Sequence, residues 1–293
     1  MNTKISIAKI LLPVEFSQRC MGAARWAASL ACHFQAELTV LHVFTPPYVA
    51  YGEVNAYPPA ADYYSQRYDD AKTQLDAFLR DAPAGLRIGR VLLDGDPARK
   101  IVEYAHNGKF DLIVMPTHGY GPFRRFLLGS VTAKVLHDAE CPVWTGPHLE
   151  QAPAWEGFGI RRVACALDFG PASRGVLGWA DALAHEYAAD LLILNVLPAS
   201  TVSAGGFTFD PEWRLQLERE AREQIAQLEA DLGTHGEVHI EIGDVAPALR
   251  YAAREENADV LVIGRSHGAG VLGRLRANAY SILREAPCPV VSI

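Results

Sequence analysis

The chain contains one arrangement of residues twice, and this repeat limits the folds that it can adopt. Residues 10–17 read ILLPVEFS, and residues 163–170 read VACALDFG, 153 positions later. Collinear matches indicate a duplicated unit, and half of 293 residues is the size of an ordinary domain. We therefore predict two domains of one fold, at 1–147 and 158–293. The further matches, in the same order, are LTVLHV with LLILNV (38–43, 191–196), DLIVM with DVLVI (111–115, 259–263), and CPV with CPV (141–143, 288–290).

Within each unit, short apolar runs alternate with helical patterns. The strand segments are apolar throughout, which is typical of strands buried on both faces of a parallel sheet. Strands and helices in alternation imply right-handed β-α-β units. The predicted fold class is α/β: two tandem doubly wound domains, each an open five-stranded, mainly parallel sheet with helices on both faces. In the first unit we predict strands at 8–14, 37–44, 86–93, 111–116 and 142–145, and helices at 18–34, 62–82, 97–107 and 129–138.

Glycine and proline residues mark several boundaries. We expect Gly85 to end the second helix and Pro97 to open the third, where a missing N–H group is tolerated. In the second unit a strongly charged helix is predicted at 211–232. The stretch 146–160 is rich in Pro and Gly and has no periodicity, so we interpret it as a linker. Residues 46–64 hold four prolines and five tyrosines, which fits either a long surface connection or a lid or partner-contact loop.

Composition excludes several classes of protein. The net charge is −7 and no basic stripe is visible, which argues against a nucleic-acid partner. No apolar stretch approaches the ~18 residues of a membrane helix, so we expect no membrane span. The five cysteines are an odd number without a C-x-x-C pair, which argues against a disulfide framework and a zinc ribbon and favours the cytoplasm. We expect Cys141 and Cys288 to be buried structural thiols, and the ten histidines show no metal-binding spacing.

The loop after the fourth predicted strand carries the features of an anion site. Gly119 is followed by nine residues and then by Gly129 and Ser130, which open a helix. Glycine lets the backbone approach a ligand closely, and the free N–H groups of a helix N-terminus favour an anion. Arg124 and Arg125 add positive charge. The loop is therefore either a phosphate cradle or an ordinary strand-to-helix turn with Ser130 as its N-cap.

These residues resemble the universal stress protein family. The resemblance rests on T-H-G-x9-G-S-V after the fourth strand, on LPVEFS at the end of the first strand, and on CPV before the last. It covers nearly the whole chain, once per half, so the chain looks like a tandem member. It implies a Rossmann-like fold of the adenine nucleotide alpha hydrolase type, with ATP (alone or with Mg²⁺) or another adenine nucleotide at the strand ends. It also implies that the two halves pair internally through their last strands, which leaves a surface for a homodimer.

Carried over position by position, the resemblance implies a cofactor-binding site in the first half. The chain departs from the family pattern at two of these positions. Glu15 stands where the family has an aspartate, and Pro116 stands where the first motif glycine is expected, although proline has no N–H group to offer a phosphate. No catalytic residue and no metal ligand is predicted. The implied cofactor-binding residues are Glu15 and Val43 near the adenine, and Pro116, His118, Gly119, Gly129, Ser130 and Val131 near the phosphates.

The second half departs further from the pattern. Asp168 and Val196 match the strand-end positions, but the first glycine gap is Gly264-x3-Gly268, and Arg-Ala at 276–277 replaces the Gly-Ser pair. A helix that starts without Gly-Ser loses the cradle, so we expect no family-type site there, and a regulatory or interface role is the alternative that remains for this loop. The side chains that could still meet phosphates are Arg265, Arg274 and Arg276.

Three functions are compatible with this sequence. The leading hypothesis is a cytoplasmic stress-response regulator that binds ATP or another adenine nucleotide in its N-terminal domain, with a degenerate C-terminal domain. The second is a slow ATPase or self-phosphorylating enzyme that uses the same pocket. The third is a scaffold that has lost nucleotide binding. The word "stress" depends on the resemblance alone, and the residues themselves indicate a phosphate-binding α/β tandem.

Overall fold

The computed structural model describes residues 5–45, 61–117, 128–146, 159–198, 211–265 and 277–293. Its strands are β1 Lys9–Pro13, β2 Glu37–Phe44, β3 Ile88–Asp94, β4 Leu112–Val114, β5 Val143–Thr145, β6 Arg162–Leu167, β7 Asp190–Pro198, β8 Glu237–Gly243, β9 Val260–Ile263 and β10 Val290–Ser292. Its helices are α1 Gln18–Phe34, α2 Ala61–Ala77, α3 Pro97–Asn107, α4 Ser130–Asp138, α5 Ser173–Tyr187, α6 Pro211–Leu232, α7 Val245–Glu255 and α8 Ala277–Glu285.

The strands form one continuous sheet that both halves share. The order is β3-β2-β1-β4-β5-β10-β9-β6-β7-β8. All pairs within a half are parallel, whereas β5 and β10 pair antiparallel, with Trp144 opposite Val291. The α/β fold class and the internal pairing through the last strands are therefore confirmed. Because the joining pair is antiparallel, the carboxyl ends of the strands point in opposite directions in the two halves.

Helices cover both faces of this sheet. One apolar core lies between the sheet and α1, α2, α5 and α6, and it contains Trp26 and Trp144, whose rings are 6.1 Å apart. The other core lies between the opposite face and α3, α4, α7 and α8. Strands such as β1 and β4 send fully buried side chains into both cores, which explains why they read as unbroken apolar runs.

One set of hydrogen bonds recurs at equivalent places in the two halves. The carboxylate of Asp111, just before β4, accepts hydrogen bonds from the N–H groups of Ala8 and Lys9 at 2.8 and 2.9 Å, and Asp259 does the same for residues 161–162. These bonds satisfy backbone donors at the start of β1 and β6 that the sheet leaves unpaired. The aspartates of the repeated DLIVM and DVLVI segments thus fix the first strand of each half.

In each half a Gly-Asp pair, at 95–96 and at 243–244, lies where the chain turns from a strand into a helix. Gly95 has φ +133° and Gly243 has φ +147°, a region that favours glycine. The carboxylate of Asp96 accepts a hydrogen bond from the N–H of Arg99 at 2.9 Å and caps α3, and Pro97 is the first helical residue, as predicted. The turn holds the start of α3 beside the carboxyl ends of the strands.

Most predicted boundaries agree with the structure to within two residues, but the end of α2 was predicted wrongly. The helix ends at Ala77 instead of 82, and Gly85 lies well beyond it. Leu79 adopts φ +58°, which stops the helix. The guanidinium of Arg90 donates to the carbonyls of Leu75 (3.1 Å) and Phe78 (2.7 Å) and stabilises this end.

Two of the predictions fall largely outside the described residues. The proposed lid, at 46–64, lies outside the described residues except for its last four residues, which begin α2. Most of the proposed linker, at 147–158, also lies outside them. The charged helix of the second half is α6, with the predicted bounds. Among the described helices, none combines the length and the apolar composition that crossing a bilayer would require.

Candidate functional site

The N-terminal half has its crevice where the order of the strands reverses. β1 pairs with β2 on one side and with β4 on the other, so connections leave in opposite directions and a crevice opens at the carboxyl ends. A cavity of about 290 Å³ lies there, near the lower end of the ~300–1,000 Å³ range of small-molecule sites. We call it the first cavity; its walls include Glu15, His42, Val43, Pro116, Gly129 and Ser130.

The structure brings most of the predicted site residues together at this cavity. Its lining includes Glu15 from the end of β1, Val43 from β2, Pro116 after β4, and Gly129, Ser130 and Val131 at the start of α4. The remaining two, His118 and Gly119, lie outside the described residues. Residues that are more than 100 positions apart in the chain thus share one wall.

A sharp turn between β1 and α1 places Glu15 on that wall. Phe16, the next residue, has φ +63°, which is rare for a bulky side chain and costs about 1–3 kcal/mol. Its ring packs on His42, with centroids 4.4 Å apart, and on Phe78 at 6.0 Å, so tertiary contacts hold the strained conformation. Phe169 repeats the conformation in the other half, with φ +56°.

The carboxylate of Glu15 has an oxygen without a hydrogen bond. Its Oε1 is buried, and among the described residues nothing donates to it. A buried acceptor left without a donor costs about 1–3 kcal/mol, and such an atom calls for an explanation. A ligand with an N–H or O–H group would satisfy it, which agrees with the role that the resemblance implied for Glu15.

His42 is a site residue that the sequence analysis missed. Its Nδ1 lies 2.8 Å from the carbonyl oxygen of Val14, so Nδ1 carries the proton and donates. Burial lowers the pKa of His42 below its ordinary value of 6.5, against smaller opposing effects of the Val14 carbonyl and Glu15. The ring is therefore neutral at pH 7. The available signal was a histidine within the apolar run LTVLHV, at the position that Asn195 takes in the second half.

The start of α4 has the geometry of an anion site. Gly129 is its N-cap, with φ −60° and ψ 142° and no side-chain cap, so Ser130 is the first helical residue and is not the N-cap. Any residue adopts these angles, so the backbone conformation does not require glycine here. The missing Cβ matters instead because it lets a ligand approach the helix. The first helical hydrogen bond runs from Ala133 N to Gly129 O at 2.8 Å. The N–H groups of residues 130–132 precede it, and they and the helix dipole favour an anion.

Two hydrogen bonds fasten β4 to α4 on either side of the 118–127 segment. The N–H of Gly129 donates to the carbonyl of Thr117 at 2.9 Å, and the Thr132 hydroxyl donates to the carbonyl of Pro116 at 3.0 Å. Pro116 offers no N–H group, yet its carbonyl takes part in fixing the helix. The proline thus removes one donor while leaving the N-terminus of α4 in place.

The C-terminal half has a larger cavity of about 1000 Å³ at the equivalent place. We call it the second cavity; its walls include Asp168, Ser173, Asn195, Val196, Gly264 and Arg265. The carboxylate of Asp168 accepts from the N–H of Gly170 at 2.9 Å and from the hydroxyl of Ser173 at 3.2 Å. Its own loop therefore engages it, in contrast to Glu15. Gly268, Arg274 and Arg276 lie outside the described residues.

The expectation that Arg265 could meet phosphates is wrong. Its side chain is 2% exposed and points into the N-terminal half. The guanidinium donates to the carbonyls of Ala139 at 2.8 Å and Cys141 at 2.7 Å, so it is engaged by backbone rather than available to a ligand. Arginine's fork of donors suits several carbonyls at once.

The remaining titratable groups indicate structural roles. All five cysteines are free thiols. Burial raises the pKa of Cys141 to about 11 and that of Cys288 to about 12, so both resist ionisation. Cys288 is buried, as predicted, whereas Cys141 is only partly so. Within the described ranges, no three His, Cys, Asp or Glu side chains are grouped as a metal ion would require.

Comparison with known proteins gives consistent similarity over both halves. The chain is 32% identical over 136 residues to a universal stress protein of Methanocaldococcus jannaschii, which covers 46% of this chain and 79% of that protein. It is 25% identical over 293 residues to a universal stress protein of Mycolicibacterium smegmatis, covering 97% and 96%. The crystal structure of a universal stress protein from Archaeoglobus fulgidus superposes with a TM-score of 0.65 at 21% identity, covering 99% and 97%, and supports the fold.

The family model agrees with the repeat seen in the sequence. The model described as the universal stress protein family matches twice, at residues 6–145 and 159–293. Together the two matches take in both five-stranded units and nearly all of the chain. The chain therefore belongs to the universal stress protein family, with two copies of the family's domain in tandem.

Proposed function

We propose that this chain is a regulatory protein that binds an adenine nucleotide, ATP foremost, in the first cavity. The observation that carries the proposal is the pairing of two unsatisfied features across one cavity. The buried oxygen of Glu15 lacks a donor among the described residues, and the first turn of α4 presents donors for an anion. A nucleotide has a base or ribose with donors at one end and phosphates at the other, so a single ligand satisfies both.

The rest of the cavity suits the middle of such a ligand. Val43 and Ile101 line it with apolar side chains, and neutral His42 adds no charge that would fix an anion at the wrong end. The phosphates would extend over Gly129 towards Ser130, where no Cβ obstructs the N-terminus of α4. Mg²⁺, where it accompanies ATP, would be held by the phosphates, since the described residues offer no ligand cluster. This chain's own residues then bind and orient the nucleotide.

We propose a cytoplasmic location and a second copy of the chain as an additional partner. The five free thiols suit a reducing compartment. The mechanism is binding: occupancy of the first cavity, at the start of α4, changes the surface shown to a partner. No described group favours hydrolysis, so turnover is an outcome to be measured and not part of the proposal.

Calorimetric titration of ATP with Mg²⁺ tests the proposal. The variant is Gly129→Val with Ser130→Ala, which places two methyl groups where the phosphates approach. The matched control is Gly178→Val in α5, where a Cβ meets nothing within 4 Å. We expect about one ATP per chain in the wild type and the control, and at least a tenfold loss of affinity, about 1.4 kcal/mol, in the variant.

The other outcomes separate the alternatives. An absence of heat and of thermal stabilisation at millimolar ATP would overturn nucleotide binding and favour the scaffold. Sustained phosphate release that the same variant abolishes would establish the ATPase. Binding that survives in the variant would place the nucleotide away from the start of α4.

A further inference from the structure

The side chain of Arg265 crosses from one half of the chain into the other. Arg265 follows β9 in the C-terminal half, where its N–H donates to the carbonyl of Ile293 at 2.7 Å. Its Nη1 donates to the carbonyls of Ala139 (2.8 Å) and Leu136 (3.5 Å), and its Nη2 donates to that of Cys141 (2.7 Å). These carbonyls belong to the last turn of α4 and the residues directly after it, so a buried cation lies at the negative end of the helix dipole.

α4 is short enough for both of its ends to matter at the first cavity. It has nine residues, Ser130–Asp138, and is therefore about 13 Å long. Its N-terminus lines the first cavity, and its C-terminus is bonded to Arg265, which itself lines the second cavity. A short helix moves as a rigid body, so a shift at the C-terminal carbonyls changes where the N-terminal N–H groups point.

The equivalent position in the N-terminal half carries a different side chain. The repeat places Thr117 at the position of Arg265, after β4 instead of β9. Thr117 is 1% exposed and its carbonyl accepts the N–H of Gly129, but its side chain is far too short to span between halves as a guanidinium does. An arginine therefore stands at this place in the C-terminal half and a threonine in the N-terminal half.

We propose that Arg265 is a positioning residue for the phosphate end of the first cavity, which it controls from the C-terminal half through α4. This inference depends on the proposed nucleotide function. The guanidinium satisfies carbonyls at one end of α4 and so holds the N–H groups at the other end where the phosphates bind. The base and ribose end of the cavity, at Glu15 and Val43, is formed by β1 and β2 and does not depend on α4.

The test compares two ligands that differ only in the phosphates. ATP with Mg²⁺ and adenosine are titrated into the full chain, the variants Arg265→Met and Arg265→Lys, and the control Arg162→Met. Arg162 donates to the carbonyl of Glu256 directly after α7 at 3.0 Å, but α7 does not line the first cavity. Arg265→Met should weaken ATP binding at least fivefold and adenosine binding less than twofold. Arg265→Lys should recover part of the loss, and Arg162→Met should affect neither ligand.

The results that overturn the proposal are distinct from a failure of nucleotide binding. Equal losses for ATP and adenosine would show that Arg265 supports only the fold, and unchanged ATP binding would show that it does not position α4. If the wild type binds neither ligand, the proposed function fails. Amide hydrogen exchange then tests Arg265 by itself, because Arg265→Met should accelerate exchange in α4 relative to α3. Arg265→Lys serves for both measurements if the methionine variant does not fold.

Discussion

The two halves share a fold but differ in how they treat the acidic residue at the end of the first strand. In the C-terminal half the carboxylate of Asp168 is bonded by its own loop, through Gly170 and Ser173. In the N-terminal half Cys20 takes the place of Ser173, and its sulfur accepts the N–H of Glu15 instead. The Glu15 oxygen Oε1 is buried, and no residue in the described part of the chain donates to it. One half uses its acid to build a loop, and in the other half the acid lines the first cavity, where we propose that the nucleotide binds.

The equivalent positions of His42 and Asn195 show the opposite case, in which different side chains make the same hydrogen bond. Asn195 donates from Nδ2 to the carbonyl of Leu167 at 2.9 Å, as His42 donates to that of Val14 at 2.8 Å. Both bonds join the second strand of a half to the end of its first. The comparison therefore teaches that the duplicated halves kept the bonds that hold the strand ends and changed those that face the cavity.

The largest expected effect concerns the strands that join the halves. Trp144 in β5 and Val291 in β10 are both fully buried and lie opposite each other. Trp144→Ala should lower the free energy of unfolding by about 3–5 kcal/mol, since a large side chain leaves a large cavity. Val291→Ala should cost clearly less. Urea unfolding measures both, and equal losses would contradict an unequal contribution of the two strands to the joint core.

The next prediction concerns the two acids. Asp168→Ala should lower the free energy of unfolding by about 1–2 kcal/mol, because two donors lose their acceptor, and should leave ATP binding unchanged. Glu15→Ala should weaken ATP binding about tenfold, or about 1.4 kcal/mol, with a smaller effect on unfolding. Chemical denaturation should show the larger loss of stability for Asp168→Ala, and calorimetry should show the larger loss of ATP affinity for Glu15→Ala. Parallel losses in both measurements would remove the distinction between a loop acid and a ligand acid.

A smaller effect is expected from the pH dependence of His42. Because burial lowers its pKa in the folded state, the unfolded chain binds a proton first as the pH falls through 6.5. The stabilisation is therefore complete above pH 6.5 and declines below it, down to the lowered folded pKa. His42→Asn should keep the bond to Val14 and lose this decline, and Asn195→His should introduce one. The free energies of unfolding at pH 5.5 and 7.5 test this prediction. The same change between the two pH values in all three proteins would be inconsistent with a lowered pKa of His42.

The smallest differences are expected among the thiols. Cys32 is exposed, whereas burial raises the pKa of Cys141 to about 11 and of Cys288 to about 12. Since the thiolate is the reactive form, iodoacetamide at pH 8 should modify Cys32 first. Cys141 should follow slowly, and Cys288 should react only on unfolding. Mass spectrometry of a time course measures the order, and early modification of Cys288 would contradict its burial.

The sequence was sufficient for those parts of the fold that local signals determine. Apolar runs predicted the strands because both faces of each inner strand are buried, and Pro97 predicted the start of α3 because it tolerates the first helical position. The end of α2 was missed, since Leu79 in a left-handed conformation and the capping by Arg90 depend on the neighbouring strand. Tertiary contacts of this kind leave no periodic signal.

The candidate site shows the same division. The resemblance supplied Glu15, Val43, Gly129 and Ser130, which the structure assembles around one cavity. His42 was missed because a histidine in an apolar strand has many explanations. Arg265 was misread because nothing in the sequence shows which half its side chain enters. Contacts between the halves depend on the antiparallel pairing of β5 and β10. The resemblance implied that the last strands pair but not their direction, and no residue pattern encodes it.

The antiparallel joint also determines how a partner can approach. Because it reverses the strand direction, the mouths of the first and second cavities open towards opposite ends of the molecule. One flat docking surface can face either mouth but not both. A partner that responds to the first cavity therefore leaves the opposite pole accessible. Two molecules, one at the mouth of each cavity, would therefore not compete for space.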